Sequence, residues 1–387
     1  MLLKKLIKTL PKSLENLSIK GLATNSRDVK KGFIFFAIRG NKFNGENYIN
    51  TAIKKGAVVI ICARRCKFKS DKIYIIKTKK IRDYLSEISS KFYQLKPKNI
   101  FAVTGTNGKT SVADYFYQIL NTNNIPVAYI GTLGIKYKGK LLKTNLTSPD
   151  TITLHKNLQI LKKDKIDNVI IEASSHGLDQ GRLKYVNIKA GIFTNLSQDH
   201  LDYHKTMKAY LEAKLILFKK LLPKKSYVIT DSFIKQYRYL KKISRKRKLK
   251  LLDINKNINK NIKIPLSLIG SFQVKNLSMA CLAAQLCNLG DTRINNALKR
   301  IKDVEGRLEL AKKYPNNIRI IIDYAHTPDA LAKVIKSLKG NNNKIISLVF
   351  GCGGERDLKK RPLMAKVAKL YCEKIYVTDD NPRKENP

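Results

Sequence analysis

A short glycine-rich segment, placed between an apolar run and an amphipathic run, constrains the fold of this chain more than any other feature. Phe101–Thr104 reads as a strand, Gly105-Thr-Asn-Gly-Lys-Thr110 follows, and a helical pattern begins at Ser111. This order is typical of loops whose backbone N–H groups, together with the positive end of a helix, hold phosphate. The Lys–Thr pair adds a cation and a hydroxyl that can bind Mg²⁺. The segment predicts a nucleoside triphosphate site.

The rest of the chain alternates strand-like and helix-like segments, which predicts an α/β fold with parallel sheets flanked by helices. At 387 residues it should contain two or three domains. The predicted strands are 32–38, 57–62, 73–77, 100–104, 168–173, 190–194, 318–323, 345–350 and 374–378. The predicted helices are 111–120, 151–162, 207–221, 274–287 and 362–372. Domain breaks are expected at the Pro-containing segment 94–99 and near 303–307.

The chain is strongly basic, with 77 Lys and Arg against 29 Asp and Glu and a net charge of +48. The lysines are spread over all segments, so we expect solvated faces and no specific nucleic acid partner. The densest run, 241–263, is interpreted as a surface insertion. No apolar run is long enough to span a bilayer and the N-terminus lacks a signal peptide pattern, so we expect a cytoplasmic protein. The six cysteines lack metal-ligand spacing, so neither zinc nor disulfides are expected.

Polar residues follow two further predicted strands. Glu172 ends the run that begins at Val169, and a polar loop with His200 and His204 follows the strand at 190–194. Ligands of open α/β sheets bind at the carboxyl ends of strands, so Glu172 is a candidate Mg²⁺ ligand. The concentration of histidines suggests a site as well. His204 alone is interpreted as a surface histidine.

The order of these and later motifs makes the chain similar to the Mur ligases over essentially its whole length. The motifs are Gly105–Thr110, Glu172–Gly177, Thr194–His204, Glu212–Lys214, Gly306–Glu309, Asp323–Asp329, Phe350–Asp357 and Asp379–Arg383. The resemblance implies a three-domain architecture with a central ATPase-type parallel sheet and a Rossmann-like C-terminal domain. The domains would be 1–96 for the uridine nucleotide, 97–303 for ATP and 304–387, incomplete, for the amino acid.

The resemblance also implies an activity. A Mur ligase uses ATP and Mg²⁺ to activate a carboxylate as an acyl phosphate, which an amino acid then attacks, in the synthesis of the peptidoglycan precursor. The motif ending in Arg383 resembles that of members that add meso-diaminopimelate to UDP-N-acetylmuramoyl-L-alanyl-D-glutamate. A guanidinium can hold the distal carboxylate that lysine lacks.

Site residues carried over by motif fall into five groups. The implied catalytic residues are Lys109, Lys214 and His200. The implied ATP-binding residues are Gly105, Thr106, Asn107, Gly108, Lys109, Thr110, Ser111, Asn276, Arg307, Asp323, Tyr324 and His326. The implied metal site comprises Thr110, Glu172, His200 and a carbamylated Lys214. The implied UDP-sugar contacts are Ser26, Arg27, Thr147, Ser148, Ser175, Gln180 and Arg182, with Asn25 where the family usually has Asp. The implied amino-acid contacts are Asp380, Asn381, Pro382 and Arg383.

Other interpretations remain open at this point. The chain could be a lysine-adding relative, a folylpolyglutamate synthetase with the same nucleotide domain, or an inactive fragment that binds polyanions. The third domain should contain more strands than the sequence offers before Pro387. We therefore expect a fragment of a longer gene product, or a degenerate protein, with an apolar sheet face left open. A monomer is expected.

Overall fold

The structure, a computed structural model, describes residues 1–40, 43–144, 146–265, 270–340, 344–355 and 357–386. Within these residues no helix is long and apolar enough to cross a membrane. The strands are β1 Gly21–Ala23, β2 Phe33–Ala37, β3 Ala57–Ala63, β4 Tyr74–Thr78, β5 Asn99–Thr104, β6 Val127–Gly131, β7 Gly134–Tyr137, β8 Lys140–Leu142, β9 Asn168–Glu172, β10 Ile188–Phe193, β11 Tyr227–Thr230, β12 Lys250–Asp253, β13 Glu309–Lys313, β14 Arg319–Ile322, β15 Ser347–Phe350 and β16 Lys374–Val377.

The helices confirm all five predicted ones within a few residues. They are α1 Leu3–Leu6, α2 Ile49–Lys54, α3 Ile81–Phe92, α4 Lys109–Thr122, α5 Thr151–Lys163, α6 Ser175–Asp179, α7 Leu201–His204, α8 Met207–Ile216, α9 Tyr237–Arg247, α10 Ile254–Asn257, α11 Ser271–Gln285, α12 Asp291–Leu298, α13 Pro328–Lys339 and α14 Lys360–Tyr371. A π-helical segment, Leu217–Leu221, continues α8.

The chain divides into two compact units. Unit 1 comprises residues 1–98, 149–167 and 177–186, and unit 2 comprises 99–148, 168–176 and 187–387. The break predicted near residue 303 does not separate two units, because residues 304–387 group with the central sheet. The three-domain boundaries at 96 and 303 therefore stay a prediction.

Unit 1 is built on a parallel four-stranded sheet in the order β1-β2-β3-β4. Side chains alternate between the two faces along β2, and helices cover both faces. Ile34 and Phe36 pack with α1 and α3 on one face, while Phe35 and Ala37 pack with α2 on the other. The apolar run 33–37 is thus the pattern of a central parallel strand.

Unit 2 contains an eight-stranded sheet in the order β12-β11-β10-β5-β9-β6-β7-β8. The strands from β12 to β6 run parallel, and β7 and β8 extend the sheet as an antiparallel hairpin that the sequence analysis missed. The central strands β10, β5 and β9 are neighbours, so the loops after Phe193, Thr104 and Glu172 meet at one edge. This edge carries the candidate site.

The interpretation of 241–263 as a surface insertion is wrong for its first half. Helix α9 packs through Leu240 and Ser244, and β12 pairs in parallel with β11 as the edge strand of the sheet. Lysines occupy the exposed positions of α9 and β12, so the few apolar residues that pack inward do not form a recognisable pattern in the sequence.

The described part of unit 2 after residue 304 contains two small sheets of two strands each. Strands β13 and β14 pair antiparallel, and β15 and β16 pair in parallel across α14, the connection of a βαβ unit. Leu348 and Phe350 of β15 pack on Leu331, Ile335 and Met364. The other face of β15 is open, with Val349 66% exposed, and all four residues of β16 are exposed, as the sequence analysis expected of an apolar face left open.

Candidate functional site

The loop between β5 and α4 depends on its two glycines. Gly105 has a φ of +147° and Gly108 a φ of +85°, both in the region that favours glycine. A Cβ at Gly105 would lie 1.8 Å from Thr194 Oγ1, and one at Gly108 would lie 2.5 Å from Asn276 Oδ1. Any larger residue would therefore force the loop away from its neighbours.

The loop is tied to the segment after β10 by its own backbone. The N–H of Thr106 donates to the Asn195 carbonyl at 2.9 Å, and the N–H of Asn107 donates to Asn195 Oδ1 at 3.0 Å. Thr194 Oγ1 returns a hydrogen bond to the Asn107 carbonyl at 2.6 Å. Two loop N–H groups are thus used within the protein, so the predicted phosphate donors are the first N–H groups of α4, from Lys109 onward.

Lys109 begins α4, and its ammonium folds back over the loop. Nζ donates to the carbonyls of Gly105 at 3.1 Å and Thr106 at 2.8 Å. Burial lowers the pKa of Lys109, while the carboxylates of Glu172 and Asp199 act in the opposite direction. A bound phosphate would supply a direct anionic partner for this side chain.

Glu172 ends β9 and is fully buried, where it collects four donors. Its Oε2 accepts from the Thr110 hydroxyl at 3.2 Å, and its Oε1 accepts from the Thr132 N–H at 2.9 Å. The Thr132 hydroxyl adds a bond at 3.2 Å and the Tyr129 hydroxyl donates as well. A Cβ at Gly131 would lie 2.3 Å from Oε1. Sequence analysis missed Tyr129 and Thr132, because nothing in their spacing signals this contact.

His200 lies in the polar loop after β10 with a left-handed φ of 54°. Its Nε2 is 3.2 Å from Asp199 Oδ2, and its Nδ1 is buried with no hydrogen-bond partner among the described residues. Burial lowers its pKa to about 3, against the opposing charge of Asp199. The ring is therefore neutral and can act as a ligand.

The histidines of this region form one cluster. The ring of His176 lies 4.9 Å from that of His200 and 5.5 Å from that of His204. His204 is buried and packs 5.3 Å from the ring of Tyr210. The interpretation of His204 as a surface histidine is wrong, because the turn of α7 directs it inward.

Lys214 on α8 is 1% exposed, which no composition argument could reveal. Its Nζ donates to the Gly105 carbonyl at 2.7 Å and lies 4.3 Å from the ring centre of Tyr210. Burial, and then the nearby Lys109 charge, lower the pKa of Lys214 well below its usual value. Both lysines therefore converge on the same loop.

The remaining residues predicted to bind ATP lie in α11 and in the segment after residue 304. Asn276 is buried and donates to Gln273 Oε1 at 3.0 Å. Arg307 donates to Thr110 Oγ1 at 3.2 Å, and its guanidinium lies 4.5 Å from the ring centre of Tyr324. Asp323 accepts from the Leu308 N–H at 2.7 Å, and burial raises its pKa. Arg307 is thus brought to the phosphate loop, while Ser111 is buried within α4.

The predicted UDP-sugar contacts lie in both units. In unit 1, Asn25 accepts from the Arg27 N–H at 3.0 Å and so caps the turn that carries Ser26. Also in unit 1, the guanidinium of Arg182 donates to Gln180 Oε1 at 2.8 and 3.2 Å.

In unit 2, Ser148 donates to the Glu172 carbonyl at 2.7 Å, and the hydroxyl oxygens of Thr147 and Thr132 lie 3.2 Å apart. The hydroxyl of Ser175 is buried with no hydrogen-bond partner among the described residues. These unit 2 residues therefore adjoin the carboxylate at the end of β9.

The predicted amino-acid contacts form a turn after β16. Asn381 and Arg383 have φ values of 46° and 58°, and the Asn381 carbonyl accepts from the Gly354 N–H at 3.1 Å. The Arg383 guanidinium donates to the Gly354 carbonyl, while Asp380 is exposed. Arg361 pairs with Glu385 at 2.5 Å. Arg356, part of the motif 350–357, lies outside the described residues.

Three family models match the chain in order. They are the Mur ligase family catalytic domain over residues 18–93, the Mur ligase middle domain over 103–261 and the Mur ligase glutamate ligase domain over 306–387. A UDP-N-acetylmuramoyl-L-alanyl-D-glutamate--2,6-diaminopimelate ligase of Rickettsia bellii (strain RML369-C) is 38% identical over 98% of this chain and 83% of its own length. The chain belongs to the Mur ligase family.

Further similarities extend to solved structures. The same-named enzyme of Brucella melitensis biotype 1 (strain ATCC 23456) is 36% identical over 97% of this Mur ligase and 82% of its own length. A solved 2,6-diaminopimelate ligase of that name has a TM-score of 0.75 at 27% identity and covers 100% of this chain and 84% of its own. A MurF ligase from Thermotoga maritima shares the fold, with a TM-score of 0.63 at 18% identity over 95% of this chain and 90% of its own.

Membership in this family confirms three expectations from the sequence. This Mur ligase has the α/β architecture of the family, it is an ATP-dependent ligase, and it belongs to peptidoglycan precursor synthesis. The roles of individual site residues stay predictions, which the geometry described above makes specific.

Proposed function

We propose that this Mur ligase adds meso-diaminopimelate to the D-glutamate of UDP-N-acetylmuramoyl-L-alanyl-D-glutamate. The observation that carries the proposal is the 38% identity to a ligase of that name over 98% of the chain. The turn with Arg383 supports it, because a guanidinium matches the second carboxylate of diaminopimelate.

The first step is transfer of the γ-phosphoryl group of ATP to the γ-carboxylate of D-glutamate. A carboxylate oxygen forms a bond to the γ-phosphorus, the bridging bond to the β-phosphate breaks, and ADP leaves. Lys109 and the first N–H groups of α4 stabilise the charge that grows on the phosphate oxygens. Arg307, which already contacts Thr110, adds a second cation on the same side.

The second step is attack of the amine of diaminopimelate on the acyl phosphate. The new C–N bond forms, the C–O bond to phosphate breaks, and the nitrogen releases a proton to give the amide. Lys109 and the helix end hold the leaving phosphate. Within unit 2, the predicted UDP-sugar contacts Thr147, Ser148 and Ser175 orient the acceptor beside the end of β9. Ser26 and Arg27 of unit 1 are the proposed contacts of its uridine end.

The chain offers donors that suit Mg²⁺, although no group of three or more His, Cys, Asp or Glu side chains that could hold a metal occurs among the described residues. Mg²⁺ is usually held by one or two protein groups and by substrate phosphates. Thr110 and Glu172, 3.2 Å apart, suit one ion. His200, with its buried Nδ1, and a carbamylated Lys214 suit the other. Bound there, the ions would neutralise phosphate charge.

Two further expectations complete the proposal. ATP and UDP-linked precursors are cytoplasmic metabolites in the proposed pathway, so we place the protein in the cytoplasm. We also propose that it acts as a monomer, since both proposed chemical steps use residues of one chain.

The function is tested by measuring ADP release by the purified protein. ATP, Mg²⁺, the UDP-linked dipeptide and either meso-diaminopimelate or L-lysine are supplied in parallel. We expect turnover with meso-diaminopimelate and little with lysine. Preference for lysine would instead identify the lysine-adding relative. Salt-sensitive DNA retention without turnover on either amino acid would favour the polyanion-binding alternative.

Selectivity is expected to depend on Arg383. Loss of a desolvated bidentate contact costs about 2–5 kcal/mol, so Arg383→Ala should raise KM for meso-diaminopimelate by about one to three orders of magnitude. KM for ATP and for the UDP-linked dipeptide should change little. Lys384→Ala removes an exposed neighbouring cation and is the matched control. An unchanged KM for diaminopimelate in the Arg383 variant would remove this residue from the pocket.

A further inference from the structure

The loop that carries His200 also contacts the C-terminal part of unit 2, through two residues to which the sequence analysis assigned no role. Asp199 Oδ2 lies 3.3 Å from His326 Nε2, and Gln198 Nε2 donates to Asp357 Oδ2 at 3.3 Å. Lys360 Nζ donates to the His326 carbonyl at 2.8 Å. A single short loop is therefore joined to two separate segments beyond residue 304.

The two carboxylate oxygens of Asp199 make different contacts. Oδ1 accepts the N–H of His200 at 2.9 Å, while Oδ2 lies between the Nε2 atoms of His200, at 3.2 Å, and of His326, at 3.3 Å. A carboxylate that served only the turn before α7 would use the first contact alone. The second oxygen instead joins the predicted metal-side histidine to the C-terminal segment.

The ring of His326 is held at both nitrogens. Nδ1 lies 2.9 Å from the Tyr324 carbonyl and Nε2 lies 3.3 Å from Asp199. Each ring nitrogen therefore faces an oxygen acceptor. The two contacts together fix the orientation of the His326 ring against Asp199.

This contact lies in a protected environment. Asp199 is 4% exposed. Burial alone would raise its pKa, but the hydrogen bond from His326, together with nearby positive charge such as that of Lys360, outweighs burial and holds the pKa below its usual value. The contacts that oppose burial thus come from the C-terminal side of the unit.

The same segment carries groups of the nucleotide side. The Tyr324 carbonyl is the hydrogen-bond partner of His326 Nδ1. The ring of Tyr324 packs against the Arg307 guanidinium. Arg307 in turn reaches Thr110. A connected path therefore runs from Asp199 through His326 and Tyr324 to the arginine at the phosphate loop.

We propose that Asp199 is a positioning residue that holds the His200 ring in place and at the same time fastens the His326 segment, with Arg307, over the phosphate loop. This inference rests on the proposed function for its kinetic consequences, but the contact itself is independent of the substrate. In this role Asp199 acts through the two histidines. Residues that orient the groups beside a metal typically contribute about 10–100-fold to activity.

The test compares Asp199→Asn with Asp202→Asn, which changes an exposed carboxylate three residues away on α7. We expect Asp199→Asn to lower kcat about 10–100-fold while KM for the UDP-linked dipeptide stays unchanged, and Asp202→Asn to match the wild type. His326→Gln should lower kcat as well. The double variant should be no slower than the poorer single variant, because both changes break one interaction.

A second readout does not depend on activity. Backbone hydrogen exchange over residues 319–327 should rise in Asp199→Asn and stay at the wild-type level in Asp202→Asn. Wild-type kcat and wild-type exchange in Asp199→Asn would overturn the inference, and so would additive effects in the double variant. An inactive wild type would refute the proposed function alone, since the exchange measurement still reports on the Asp199–His326 contact.

Discussion

Replacing Lys109 by alanine is expected to abolish ligation while leaving the fold intact. The ammonium lies over the loop, 2.8 Å from the Thr106 carbonyl, and fills no apolar core. A preorganised donor aimed at developing charge contributes about 3–4 kcal/mol, or about 10²–10³-fold in kcat, and a phosphate-binding lysine should reach at least that value. ADP release measures the loss, and thermal unfolding checks the fold.

The control for this experiment is Lys163→Ala, which removes an exposed lysine at the end of α5. Both variants change the net charge by one unit, so a difference between them reports on position and not on overall charge. Near-normal turnover of Lys109→Ala would show that the loop binds phosphate without this cation and would remove Lys109 from the site.

Lys214→Ala is expected to be inactive and to recover in part with formate or acetate. Burial lowers the pKa of Lys214 well below its usual value, so the side chain gives up its proton more readily than an exposed lysine, and the free amine can attack CO₂. Attack forms an N–C bond and releases a proton, which converts a buried amine into a carbamate anion. Removing the side chain leaves a space in which a small carboxylate can supply the lost charge, and ADP release with and without the acid measures the rescue.

Lys208→Ala, on the exposed side of the same helix, is the matched control and should behave like the wild type. Carbon-13 NMR after incubation with labelled bicarbonate should show a carbamate signal in the wild type and in Lys208→Ala, but not in Lys214→Ala. Full activity of Lys214→Ala, or a free ammonium at this position in a high-resolution map recorded with bicarbonate, would contradict the assignment.

The fold could be predicted where apolar patterning is strong. Strands β5, β9 and β10 are buried on both faces and read as continuous apolar runs, which is why they were predicted almost to the residue. Helix α9 and strand β12 were missed, because lysines fill their exposed positions and few apolar residues remain. The hairpin of β7 and β8 was missed as well, since β8 is exposed along its length.

The candidate site was predictable only where one local motif carries the chemistry. Lys109 and Thr110 lie in the phosphate loop itself, and Glu172 ends a recognisable strand. The burial of Lys214 and the contacts of Asp199 arise from residues about 100 positions apart in the chain, at separations of 109 to Gly105 and 127 to His326. Such contacts have no local signature, so a single sequence cannot reveal them.

The hydrogen bonds from Thr106 and Asn107 to Asn195 have a thermodynamic consequence for ligands. Because the protein itself supplies the acceptors for these two N–H groups, the loop has its shape before any nucleotide arrives. Binding then need not immobilise the loop, so little conformational entropy is lost on association. An inhibitor of this site would bind to a preorganised loop. The entropy cost of its binding would then come mainly from its own loss of conformational freedom.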